Sequence, residues 1–331
     1  MPSTQLVDRS LIEVSGSDAR SFLQGLVTCD MEKVSPQQAG FGALLTPQGK
    51  IITDFIVVER EASFLLDMPS SQLADLLKRL TLYKLRAKVT VCERADLGVA
   101  ASWGESVPAG AIVDPRSAEL GCRVIAPREE LARFGENEAA YEAHRVMVGI
   151  PKGGIDFAYG DAFPHDVNMD LINGVDFRKG CYVGQEVVSR VQHRSTARRR
   201  ILRVKLSGKA PAVGTPVMAG DIEIGVLGSS AGDVALVSMR IDKLEDARAA
   251  GKKPNLDQAT KAFETLFLQM IMKSMREAQL GEGLLDSEEA KPFQSMLDSA
   301  YAEIMSKNMR LGLSDAMSRQ LSPMIGKEAK K

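Results

Sequence analysis

Two chemically different textures meet in this chain near residue 254, and that break limits what it can fold into more than any single motif. All four cysteines and all three histidines precede the break, whereas eight of the fifteen methionines follow it. The link G-K-K-P-N (251–255) has the glycine, proline and charge of an exposed connection. At 331 residues the chain is also too long for one small core, so two or three domains are expected.

Before the break, helical and strand patterns alternate. Along 17–27, Phe22, Leu23, Leu26 and Val27 share one helical face, with Ser17 or Asp18 available as N-cap. F-G-A-L-L-T-P-Q-G-K-I-I-T-D-F-I-V-V (41–58) reads as a hairpin around Thr46-Pro47-Gln48-Gly49, where proline and glycine suit a type I turn. A strand at Phe64–Asp67 leads to a helix opening near Pro69 and Ser70, with Leu73, Leu76, Leu77 and Leu80 on its buried side. Short apolar runs separated by glycines over Ile201–Ile241 suggest a small β-barrel or sandwich. After the break, Phe263, Leu266, Phe267, Met270 and Ile271 follow helical spacing, as do Phe293, Met296, Leu297, Ala300, Tyr301, Ile304 and Met305. A short third helix is expected over Leu313–Leu321, before Pro323. The expected architecture is an α+β region over 1–200, a small β-barrel over 201–250, a linker over 251–256 and an all-α domain over 257–331.

Bulk properties exclude several classes. A formal net charge of −1 gives no global attraction to nucleic acid or anionic membrane. An aromatic share of 5% disfavours a stacking platform for single strands, so a nucleic-acid partner is not expected. No basic stretch followed by an apolar one opens the chain, and no apolar run is long enough to span a bilayer, which sets the expectation of a cytoplasmic protein. Cys29, Cys92, Cys122 and Cys181 stand far apart with no C-x-x-C pair, so reduced thiols and no stable metal cage are expected.

The stretch richest in chemistry is K-G-C-Y-V-G-Q-E (179–186). Cys181 lies between Gly180 and Gly184, where backbone freedom is expected, and follows Arg178 and Lys179, whose cationic character favours a thiolate. Tyr182 follows the thiol, and Gln185 and Glu186 are placed to bond a ligand or orient the loop. A lone cysteine is more often a small packing hydrophobe, but the flanking charges and glycines do not suit a packed core. Downstream, H-R-S-T-A-R-R-R-I-L-R-V-K (193–205) has no acidic residue, and two readings stay open: a solvated charged strand, or an anion site for phosphate, carboxylate or a polyglutamate tail. His165, in F-P-H-D, has no second histidine at ligand spacing.

Five ordered segments together resemble the YgfZ family of folate-binding iron–sulfur cluster maintenance proteins, relatives of the aminomethyltransferases. They are F-L-Q-G-L-V-T-C-D (22–30), G-A-L-L-T-P-Q-G-K-I-I-T-D-F (42–55), R-V-M-V-G-I-P (145–151), N-M-D-L-I-N-G-V-D-F-R-K-G-C-Y-V-G-Q-E (168–186) and H-R-S-T-A-R-R-R (193–200). The resemblance implies α+β domains in a ring around a central folate pocket, with a terminal β-barrel. It also implies tetrahydrofolate or a related folate as ligand, and Asp54 as the pocket carboxylate, with Asn168, Asn173 and Arg198 as further contacts. The implied role is assembly or repair of [4Fe–4S] proteins through Cys181, in contact with assembly proteins or client enzymes, with Cys181 as a transient iron ligand. The transferases have glutamate in an R-L-E-A-G segment where this chain has Met147, and a thioether cannot accept the paired hydrogen bonds a pterin ring offers. That departure favours an accessory factor over the alternative, a tetrahydrofolate-dependent aminomethyl or methyl transferase, which includes a tRNA-modification setting.

The tail is similar to the N-terminal rod-binding region of the flagellar protein FlgJ. The matching segments are K-A-F-E-T-L-F-L-Q-M-I-M-K-S-M-R-E-A (261–278), G-L-L-D-S-E (283–288) and G-L-S-D-A-M-S-R-Q-L (312–321). This implies flagellar rod proteins as partners through 257–322, and two halves from different settings point to either a gene fusion or a gene-model join. A rod adaptor with a passenger N-terminal half is the third reading.

Overall fold

The computed structural model describes residues 2–104, 108, 110–194 and 197–249. All of them belong to one compact unit, Met1–Leu256; a second unit comprises Asp257–Lys331, and the tail helices expected from the sequence lie outside the described residues.

From the N-terminus, β1 (Ser3–Gln5) and β2 (Arg9–Ser15) lead into the short helix α1 (Ala19–Gln24). Strands β3 (Gly40–Leu45), β4 (Ile51–Arg60) and β5 (Ser63–Pro69) precede helix α2 (Leu73–Tyr83) and β6 (Thr90–Glu93). Next come β7 (Leu97–Ser102), β8 (Ile112–Val113), β9 (Cys122–Pro127) and helix α3 (Glu138–Val148). After a long turn-rich segment, α4 (Gln185–Arg194) leads to β10 (Arg199–Lys205), β11 (Pro216–Ala219), β12 (Ile222–Ala231), β13 (Val234–Arg240) and α5 (Ile241–Ala249). The strands form three sheets, ordered β3-β4-β5-β2-β6, β1-β7-β9-β8 and β10-β13-β12-β11, with every strand pair antiparallel.

The five-stranded sheet is covered on both faces, and this is why β4 is buried over almost its whole length. On the first face, Ile12, Val14, Phe55, Val57, Phe64 and Leu66 pack against Leu23 of α1 and Leu76 and Leu80 of α2. Each large apolar side chain buried this way contributes about 1.5–3 kcal/mol. On the second face, Phe41, Ala43, Leu45, Ile56 and Val58 meet Val146 of α3, Tyr182, Val188 of α4, and Ile201 and Leu236 of the third sheet. The even alternation of β4 also turns Asp54 to this second face, and the register Ile56↔Asp67 places Asp67 there too.

The helix expected over 17–27 ends at Gln24, although Leu26 and Val27 still donate to the Leu23 carbonyl and keep the turn. Asp18 sits at the N-cap, but its carboxylate accepts from the Lys88 backbone at 2.7 Å instead of capping the helix. The 46–49 turn closes with Gly49 N donating to Thr46 O at 2.8 Å.

Candidate functional site

The octapeptide is the lead-in to α4, and most of it is anchored. Asp176 begins the anchoring: its backbone N–H donates to Thr28 O, and its carboxylate accepts from the backbone of Arg178 at 2.8 Å and of Lys179 at 3.2 Å. Thr28 in turn donates its hydroxyl to Gly174 O at 2.6 Å and accepts from Ala43 N at 2.8 Å. The T-C-D and G-V-D segments, far apart in sequence, are thereby stitched together beneath the loop.

Lys179 corrects the expectation that it activates the thiol. Its side chain is buried, and its ammonium donates to the carbonyls of Gln24 at 2.8 Å, Val27 at 2.6 Å and Cys29 at 2.8 Å. Three donors meet three acceptors, so the charge is committed to the end of the α1 turn. Burial lowers the Lys179 pKa, against the pull of the Cys29, Asp30 and Asp176 groups.

Between buried Lys179 and buried Tyr182, Gly180 and Cys181 are exposed. A Cβ at Gly180 would meet nothing within 4 Å and its φ is ordinary, so this glycine is not required by strain and leaves open space beside the thiol. Gly184 is different. Its φ is +83°, and a Cβ would stand 2.6 Å from Thr46 O and 3.1 Å from Gly49 Cα. The T-P-Q-G turn and the octapeptide therefore touch glycine to glycine. Gly184→Ala is expected to destabilise the protein by about 2–3 kcal/mol through strain and overpacking; chemical denaturation measures this, and an unchanged midpoint would contradict the close packing. Gln185 and Glu186 occupy the first turn of α4, where Glu186 pairs with Arg190 at 2.7 Å on the surface. The Tyr182 hydroxyl is buried with no hydrogen-bond partner.

The four thiols divide by environment. Cys29 and Cys122 are buried, Cys92 and Cys181 exposed. Burial pushes the Cys29 thiol up to about 12 despite nearby Lys179, and burial also raises Cys122. Alkylation of native protein is expected to modify Cys92 and Cys181 at least tenfold faster than Cys29 and Cys122, on the order of the protection that buried groups gain from stable structure. Peptide mass spectrometry reads this, and rapid labelling of Cys29 would contradict the anchoring.

On the second face of the central sheet, Asp54 is 9% exposed and accepts a 2.5 Å hydrogen bond from Tyr159 through Oδ1. Burial and then the Asp54 charge raise the Tyr159 pKa, so the phenol keeps its proton. Gly153 makes room for this contact, since a Cβ there would stand 2.0 Å from the Tyr159 hydroxyl oxygen. Nearby, a buried chain of charges runs through the second face. Asp67 binds Arg9 at 2.6 Å and Arg123 at 2.6 Å; Arg123 reaches Asp114 at 3.1 Å, and Arg116 holds Asp114 through 2.9 and 2.7 Å contacts. Burial opposes the Asp114 charge, but Arg116 and Arg123 overcome it and hold the carboxyl well below the usual range. Arg116 also lies over the Phe41 ring at 5.9 Å.

The remaining expected contacts scatter. Asn168, with φ +63°, donates Nδ2 to Ile201 O at 2.7 Å, while its buried Oδ1 has no partner. Asn173, with φ +61°, is exposed and donates to Pro115 O at 3.0 Å. Arg198 is exposed at the entry to β10; the buried arginine of that run is Arg200, which holds Asp170 at 2.6 and 3.0 Å and donates to His165 O at 2.8 Å. His165 is buried, with Nε2 3.0 Å from Gln192 Oε1 and a buried Nδ1 that has no hydrogen-bond partner. Met147 is 48% exposed on α3. Sequence reading missed Tyr159, Arg116 and the Asp67–Arg123 pair, because no local motif marks residues that meet only through the sheets. Among the described residues, no three His, Cys, Asp or Glu side chains gather to hold a metal ion, and no helix is long and apolar enough to cross a membrane.

The fold is aminomethyltransferase-like, with a C-terminal β-barrel domain. Residues 6–101 match the GCVT N-terminal domain family and residues 198–260 the CAF17 C-terminal beta-barrel domain. The solved aminomethyltransferase T of the Bartonella henselae glycine cleavage system superposes with a TM-score of 0.57 at 17% identity, covering 72% of this chain and 78% of that one. Iron–sulfur cluster assembly factor IBA57, mitochondrial, of Homo sapiens is 33% identical over 278 residues, covering 73% of this chain and 78% of the relative. The Mus musculus protein is 35% identical over 246 residues, covering 63% and 68%. The chain belongs to the IBA57 family of iron–sulfur cluster assembly factors. It spans 55% of the length of the Neurospora crassa homolog, to which it is 34% identical over 242 residues. Residues 273–320 match the rod binding protein family and lie outside the described residues.

Proposed function

We propose that this chain is a folate-binding accessory factor for the assembly or repair of [4Fe–4S] proteins, with Cys181 as the group that contacts the cluster or its iron. The observation that carries the reading is the anchoring of the octapeptide: Lys179 and Tyr182 are buried on either side, and the thiol between them is exposed. Membership of the IBA57 family supplies the chemical context. One exposed thiol cannot by itself complete a cluster's ligand set, so the remaining ligands come from an assembly protein or a client, and the cluster is cargo rather than a resident group.

Asp54 suits a folate ring. It is a nearly buried carboxylate whose Oδ1 is oriented by Tyr159, leaving Oδ2 to accept from the ring N–H groups. Bound folate would supply a one-carbon carrier, and Met147 standing where the transferases have a glutamate favours binding without transferase chemistry. Calorimetric titration with tetrahydrofolate is expected to show binding that weakens about 10–100-fold in Asp54→Ala, the loss of a buried charged hydrogen bond. Equal affinities in the two proteins would remove Asp54 from the pocket. The rod-binding match concerns the separate unit Asp257–Lys331, and the reading does not rest on it.

A further inference from the structure

Helix α2 ends in a basic surface whose charges are only partly paired, Arg79 with Asp75 and Lys88 beside Asp18. Residues 78–88, K-R-L-T-L-Y-K-L-R-A-K, carry five basic side chains and no acidic one, in a chain whose net charge is −1. Arg79 is matched by Asp75 at 2.7 Å, and Lys84 reaches Val89 O at 3.4 Å. Lys78 and Arg86 are exposed and form no ion pair among the described residues. Among these charges, Leu82 is 61% and Leu85 87% exposed.

Leu85 is the telling residue. It follows the last turn of α2, where a left-handed residue commonly ends a helix and glycine is the usual choice. Here the position has φ +42° and carries a leucine. A branched, apolar side chain strains this backbone, and at 87% exposure it recovers nothing from the core. An exposed apolar side chain held in this conformation is placed to make a contact outside the fold.

We propose that residues 78–88 form a docking surface for an acidic amphipathic helix of a protein partner. The two leucines supply an apolar centre and Lys78, Arg86 and Lys88 a cationic rim, the arrangement of a protein–protein interface. Charge complementarity selects an acidic occupant. The exposed leucines select protein over nucleic acid, whose phosphates would engage the cations and leave the leucines wet. α2 covers the first face of the central sheet, whereas Tyr182 of the octapeptide packs on the second. The surface is independent of the role proposed for Cys181.

The test uses the full chain and the fluorescence anisotropy of a labelled helical peptide with leucines on one face and glutamates on the other. Parallel probes are the same peptide with lysines for glutamates, an RNA duplex, and phosphatidylglycerol–phosphatidylcholine vesicles. The acidic peptide is expected to bind and to weaken with salt. Leu85→Gly and Arg86→Glu are each expected to weaken it about tenfold. Leu85→Gly should leave the melting temperature unchanged or raised, since glycine suits this φ, which separates lost docking from lost folding. No binding of the acidic peptide, equal binding by wild type and Leu85→Gly, or tighter binding to RNA or vesicles would overturn the proposal.

Discussion

Lys179→Met is expected to destabilise the protein by about 3 kcal/mol and to lower its melting temperature by roughly 10 °C. Methionine fills much the same volume, so little of this loss comes from a cavity. It comes from the carbonyls of Gln24, Val27 and Cys29, which lose their shared donor in a buried place. Three charge-assisted bonds would suggest a larger figure, on the order of 5–9 kcal/mol. The desolvated ammonium, whose pKa burial lowers, offsets part of that gain. Calorimetry on the purified chain measures the outcome. A melting temperature within a degree or two of wild type would show that the lysine is not what anchors the loop.

That prediction inverts what the local sequence suggests. A lysine two residues before a cysteine looks like the thiol's electrostatic partner, because along the chain it is the nearest cation. Its carbonyl acceptors are about 150 residues away in sequence, at 24, 27 and 29, and no spacing rule connects them. The same blindness explains Arg198 and Arg200. Both stand in one basic run, and only the packing of Asp170 beneath β10 makes Arg200 the buried one. Tyr159 could not be matched to Asp54 from sequence either, since the contact depends on a glycine at 153 that leaves room for the ring.

What was legible was periodic or turn-coded. Leu76 and Leu80 face the sheet as their spacing requires, and Pro47 and Gly49 close the hairpin they were expected to close. Short apolar runs between glycines over 201–241 indicated a β-barrel or sandwich, and the resemblance implied the terminal β-barrel. Asp54 was placed by resemblance, and β4's alternation puts it on the face shared with the octapeptide's core residue Tyr182. Gly184 was legible as a residue of special conformation, but its partner Gly49 was not.

Cys181→Ser carries the second large expected effect, and it falls on function rather than on folding. The side chain is exposed, so stability should change by less than about 0.5 kcal/mol. A serine hydroxyl cannot replace a thiolate as an iron ligand or nucleophile, so activity should be lost outright. Cys92→Ser is the matched control, an exposed thiol outside the motif.

The most direct measurement is the activity of a [4Fe–4S] enzyme in cells lacking the native gene and expressing full-length wild type, Cys181→Ser or Cys92→Ser at equal protein levels. Cys92→Ser should restore the enzyme as wild type does, and Cys181→Ser should leave it at the level of the deletion. Full restoration by Cys181→Ser would contradict the role proposed for the thiol.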